Sequence, residues 1–136
     1  MAISQGMSTQ AKYSSLVYLS TGTLKMALYT ADANLGADTT AYTSSNEVVG
    51  SGYTAGGQVL TGVTVQQSGT TAFLSFDNVV WSPAAFTARG ALIYNTSLGD
   101  LAIAVLDFGA DKTATSSFTV QVPADSATSA LIRFSA

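Results

Sequence analysis

Arg89–Tyr94 (RGALIY), residues 95–100 (NTSLGD) and Leu101–Phe108 (LAIAVLDF) read in succession as strand, turn and strand. Two apolar runs rich in Leu, Ile and Val, parted by a short cluster of Asn, Thr, Ser, Gly and Asp, carry the pattern of a β-hairpin. Both runs are nearly continuous in hydrophobicity, which predicts central strands covered on both faces. Outward from this hairpin the same grammar recurs. Leu24–Tyr29 alternates, with Leu24, Met26 and Leu28 on one side and Lys25, Ala27 and Tyr29 on the other. Gln58–Val65 and Thr71–Phe76 form a second hairpin around residues 66–69 (QQSG), with Gly69 in the positive-φ position. Val79–Trp81 precedes Pro83, which suits an edge or a turn, and Ser117–Val122 and Ala130–Phe134 complete the set.

Residues 30–57 are mostly turn chemistry, with a helical turn or short strand expected around Asn46–Val49. Only the start of the chain has a helical pattern. Ser8 is placed to cap a helix running to Leu19, with Ala11, Ser15 and Val17–Tyr18 on a partly apolar face, and residues 21–23 (TGT) stop it. Seven or eight strands in this length predict an all-β fold, a single antiparallel β-sandwich of jelly-roll or Ig-like type with a short N-terminal helix or arm. One domain is expected over residues 1–136, with 1–22 as arm and short helix and 23–136 as sandwich.

Composition narrows the function. The 136 residues hold 5 Lys+Arg against 8 Asp+Glu, a net charge of −3, and charged residues make up 10% of the chain. Lys12, Lys25, Arg89, Lys112 and Arg133 are scattered singly, so no cationic patch is available for phosphate, and neither nucleic acid nor an acidic membrane is an expected partner. With no His and no Cys there is no Ser-His-Asp or Cys-His nucleophile, no disulfide and no zinc site of the usual ligands. The opening residues MAISQGM have neither a basic nor an apolar leader segment, and Leu101–Leu106 is far too short to span a bilayer, so synthesis in the cytoplasm without a signal peptide is expected.

The remaining motifs favour structure over catalysis. Residues 50–57 (GSGYTAGG) have the wrong spacing for a dinucleotide fingerprint, and a strand follows them where a helix is required. Asp100, Asp107 and Asp111 lie close together but do not match a calcium loop, and Asp107–Lys112 suits a strand ending in a turn with a local Asp/Lys pair. Asp32, Asp38, Asp77 and Asp125 sit in turn sequences. No catalytic, cofactor-binding or metal-binding residue is therefore assigned, and no enzymatic activity is expected. Arg89, between apolar stretches, is either edge-facing or buried and paired with Asp77 or Asp107. Six tyrosines with Trp81 offer one alternative of another class, an aromatic glycan-binding platform, although most of them are explained more simply as core or interface residues. The sequence Asn95-Thr96-Ser97 matches a glycosylation acceptor but reads as a turn.

A surface of Ser, Thr, Gly, Ala and Gln with few ions suits a protein that ends packed against others, because burying neutral hydroxyls and amides costs less than burying charges. Residues 24–35, 40–43, 46–48 and 52–57 (GYTAGG), together with 87–95 (TARGALIYN), 104–109 (AVLDFG) and Asp111-Lys112, resemble a family of small structural proteins of tailed bacteriophages and prophages. The resemblance runs from about Lys12 to Ile132. It implies a particle component without enzymatic activity. The expectation drawn from it is a capsid decoration (cement) protein, a homotrimer on the major-capsid lattice, with major capsid protein or other virion proteins as partners. A tail, head–tail junction or fibre component is the alternative within the same particle.

Overall fold

The computed structural model describes residues 3, 5–123 and 130–134. Helix α1 (Thr9–Leu19) is followed by β1 (Leu24–Tyr29), β2 (Gln58–Val59), β3 (Thr64–Ser68), β4 (Thr71–Ser75), β5 (Val79–Trp81), β6 (Phe86–Asn95), β7 (Leu101–Ala114), β8 (Phe118–Val120) and β9 (Ile132–Phe134). The chain is all-β, with antiparallel sheets and one short N-terminal helix, the class its hydrophobic alternation predicts. It divides into two compact units, each assembled from separate stretches of sequence.

The larger unit holds residues 21–60 and 78–121. Its main sheet has the order β2-β1-β6-β7, and β5 pairs with β8 in a second, two-stranded sheet. The β6–β7 hairpin is the one read from sequence. Asn95 closes it by accepting from the Ser97 amide at 2.9 Å and donating to the Thr21 carbonyl at 2.7 Å, while Gly99 takes the left-handed conformation at φ 68°. Asn95 is fully buried, so its amide serves the turn and is not offered for glycosylation. β1 lies between β2 and β6 and is buried on both faces, with Met26 facing Ile93 and Ala27 facing Leu92. Ala27, Tyr29, Leu92 and Tyr94 form the core on one face, beneath Ala33, Leu35 and Tyr42. Phe118 of β8 packs against Phe86 of β6, Phe108 of β7 and Trp81 of β5, which joins the second sheet to the first.

One expectation fails here. β6 is central, but β7 is an edge strand whose first six residues are all half-exposed. A continuous apolar run predicts a strand covered on both faces, yet strand order decides how many neighbours a strand has, and order is a long-range property. β7 is also longer than expected. The strand does not end at Asp107, which pairs with Gly90; residues 108–111 bulge out of register against β6 before pairing resumes at Lys112, with Gly109 at φ 80° making the bend.

The smaller unit holds the described residues among 1–20, 61–77 and 122–136. Its sheet has the order β3-β4-β9. The β3–β4 hairpin turns at Gly69, φ 60°, as its sequence implies. The expected strand Gln58–Val65 is divided into β2 and β3. Gly62, at φ 65°, breaks it, and the Asp77 carboxylate occupies the place a β-carbon would take. Ser8 caps α1 by accepting from the Ala11 amide at 3.2 Å. The buried helix face is Lys12 and Leu16, one turn apart, and not the face through Ala11, Ser15 and Val17–Tyr18. Val17 and Tyr18 are exposed. Lys12 is 4% exposed because its aliphatic stem packs inward and its ammonium donates to the Thr70 carbonyl at 2.7 Å. The turn expected at Asp125 lies outside the described residues.

Candidate functional site

Between β1 and β2 the chain forms an arch over residues 30–57 with few regular hydrogen bonds of its own. What fixes it is Glu47, the sole glutamate of the sequence, which is 7% exposed. Its Oε1 accepts from the Tyr42 hydroxyl at 2.5 Å, and its Oε2 accepts from the Tyr53 hydroxyl and from the Gly56 amide at 2.7 Å. The Tyr53 hydroxyl in turn accepts from the Leu28 amide at 2.9 Å, reaching the sheet. Two tyrosines of the sheet reach back: Tyr29 donates to the Thr43 carbonyl and Tyr94 to the Gly56 carbonyl, each at 2.6 Å. Tyr42 stacks on Tyr94 with ring centroids 4.8 Å apart. Glu47 also forms an isolated antiparallel bridge with Tyr29, which is the short strand-like contact expected around Asn46–Val49.

Burial is the main reason that all four phenols resist ionisation. Tyr94 is pushed up to about 12 by burial, with the charges of Asp100 and Glu47 adding to it. Tyr29, Tyr42 and Tyr53 are raised further still, by burial first and then by the Glu47 carboxylate. A buried carboxylate with both oxygens taken by donors is a structural anchor. The 50–57 stretch belongs to the same device. At Gly57, φ 82°, a β-carbon would stand 1.7 Å from the Met26 carbonyl oxygen, so only glycine lets the arch return so close to β1.

The anchored arch leaves one side of the sheet incompletely covered. It touches the outer edge of β7 only at its start, where Tyr42 donates its amide to the Asp100 carbonyl and Ala102 donates to the Thr40 carbonyl, both at 3.0 Å. Beyond that point two hollows flank Val105. One is walled by Ala33, Leu35 and Leu106, and the other by Ala37, Thr39 and Ile103. Past the first hollow stands Arg89, with its side chain 42% exposed, 3.9 Å from Asp107 and 3.6 Å from Asp111. Of the two partners expected for Arg89, Asp107 is present; its second partner is Asp111 and not Asp77, which accepts from the Thr61 hydroxyl at 3.2 Å. The local Asp/Lys pair expected within Asp107–Lys112 is replaced by these contacts to Arg89.

Other residues singled out from sequence serve the fold. Among the described residues no three acidic side chains gather as a metal-binding set, and no helix is long and apolar enough to cross a membrane. Trp81 is 1% exposed, against Tyr53 and Phe118, and presents no face to solvent. The Glu47 cluster was not assigned from sequence. The available signal was a lone glutamate in a turn-rich stretch of a chain poor in charge, with tyrosines on both sides of it. No family model, curated protein or solved structure matches this chain.

Proposed function

We propose that this chain is a structural component of a virus particle, a capsid decoration (cement) protein that binds the outside of a major-capsid lattice as a trimer. The observation that carries the reading is an edge strand of 14 residues, half-exposed and uncharged from Leu101 to Leu106, on a chain with only 10% charged residues. Soluble domains usually guard such edges with charge, and an unguarded edge suits a protein whose edges are covered by neighbours. The resemblance to small phage structural proteins supports the same reading. So do Ile3 and Val49, which are 98% and 94% exposed and available to an interface. Each copy would add a modest contact across neighbouring capsomers, and repetition over the shell would resist internal pressure.

Copy number in purified particles, by quantitative mass spectrometry against the major capsid protein, tests the proposal. A ratio near one, or a simple fraction of it, is expected. A handful of copies per particle would move the chain to the tail or head–tail junction, and its absence would end the virion reading.

A further inference from the structure

We infer that Tyr42 and Tyr94 form a site of oxidative modification, joined as dityrosine when a one-electron oxidant of the peroxide class reaches the arch. Tyr42 belongs to the arch and Tyr94 to β6, both within the larger unit. Their rings stack with centroids 4.8 Å apart and planes 23° from parallel. Among the described residues no other two tyrosine rings lie in such contact. Tyr42 is half-exposed, whereas Tyr94 is 3% exposed. One ring is thus open to an oxidant in solution, and its partner is held beside it and shielded.

The hydrogen bonds decide which ring reacts first. The Tyr42 hydroxyl donates to Glu47 Oε1 at 2.5 Å, whereas the Tyr94 hydroxyl donates to the neutral Gly56 carbonyl at 2.6 Å. A carboxylate within hydrogen-bond reach is a base that can take a proton, and an amide carbonyl is not. The oxidant removes an electron from Tyr42 while Glu47 accepts the phenolic proton, which leaves a neutral tyrosyl radical. The unpaired electron is shared with the ring carbons ortho to the oxygen, and one of these bonds to the ortho carbon of Tyr94. A second oxidising equivalent takes the remaining electron. The coupled carbon of Tyr94 gives up its hydrogen to water as a proton, and at Tyr42 the corresponding hydrogen moves to oxygen and restores the phenol. The pair loses two electrons and two protons in all, and a peroxide bond accepts the electrons. Tyr53 also donates to Glu47, but its ring neighbours are Trp81 and Phe86, so it has no stacked phenol to couple with. The product ties the arch covalently to the sheet and closes a loop of about fifty residues, which restricts the unfolded chain.

The test uses the full chain, dilute, with persulfate and photoactivated tris-bipyridine ruthenium as oxidant; each persulfate is reduced to two sulfates. Trypsin separates residues 26–89, which hold Tyr29, Tyr42 and Tyr53, from residues 90–112, where Tyr94 is the only tyrosine. The expected result is dityrosine fluorescence from a monomeric chain and one linked pair of these peptides, with fragmentation placing the bond at Tyr42. Holding the rings in contact is what makes the coupling efficient, so the yield of this link is expected to fall about tenfold in urea. Tyr42→Phe, which keeps the stacked ring and removes the phenol, is expected to abolish it. Peptide mapping of the unsubstituted chain reads the bond directly, whatever the variant does to folding. Three outcomes would overturn the inference: a bond from Tyr94 chiefly to Tyr29 or Tyr53, equal yield in urea, or dityrosine found only between chains.

Discussion

Glu47 shows how much a single side chain organises here. Its carboxylate collects three donors in a buried site and thereby holds an arch of nearly thirty residues. Replacing it with Gln removes the charge that strengthens those bonds and turns an amide NH₂ toward groups that themselves donate. Glu47→Gln is expected to cost about 2–3 kcal/mol, read as a lowered denaturation midpoint with an unchanged slope. Gly57→Ala is expected to be as damaging, because its β-carbon meets the Met26 carbonyl at a positive φ, whereas Gly36→Ala, with nothing within 4 Å, changes stability little. The tyrosines set a pH signature. Their neutral forms are native, so stability is complete below the unfolded value near 10 and falls as pH rises toward the folded value of about 12 for Tyr94. Phenolate absorbance is therefore expected to show Tyr29, Tyr42, Tyr53 and Tyr94 ionising only as the fold is lost. None of this cluster was legible beforehand. Its members lie at positions 29, 42, 47, 53 and 94, and nothing local says that they converge.

At the scale of elements, α1 is held by very little. Lys12 and Leu16 are its buried residues, over β3 and β4. Leu16→Ala is expected to destabilise by about 3 kcal/mol, since a fully buried leucine leaves a cavity. Lys12→Met keeps the packed stem and loses one hydrogen bond, for about 1 kcal/mol. Thermal melts of the two variants, side by side, check the ordering. The helix's existence was readable from its cap and its stop, but its buried face was not. Hydropathy assigns lysine to water, and only the nearby Thr70 carbonyl makes burial acceptable. The strands show the same division. Turn chemistry at Gly69 and at residues 95–100 located both hairpins, while the break at Gly62 and the edge position of β7 depended on partners distant in sequence.

Taken as a whole, the molecule relies on burial and neutral hydrogen bonds more than on ion pairs. Arg89 and its two aspartates are partly exposed and at the long end of pairing distance, so Asp107→Asn and Asp111→Asn are each expected to change stability by less than about 0.5 kcal/mol in urea titrations. What Arg89 and the bulge contribute is a charged boundary at one end of an otherwise apolar edge. A chain with so few charges has a surface chemically close to the interfaces it would form.

The amino-acid sequence by itself determined the class of fold, the hairpin turns, the helix limits and the poverty of charge. Each of these follows from local chemistry: alternation of side chains, glycine at positive φ, a capping hydroxyl, a count of ions. Tertiary structure alone decided that the buried carboxylate and four phenols meet, that Lys12 faces inward, and that the strand carrying the apolar run Leu101–Leu106 lies at the edge of its sheet. Those outcomes depend on which distant segments become neighbours, and that is settled by packing and strand order.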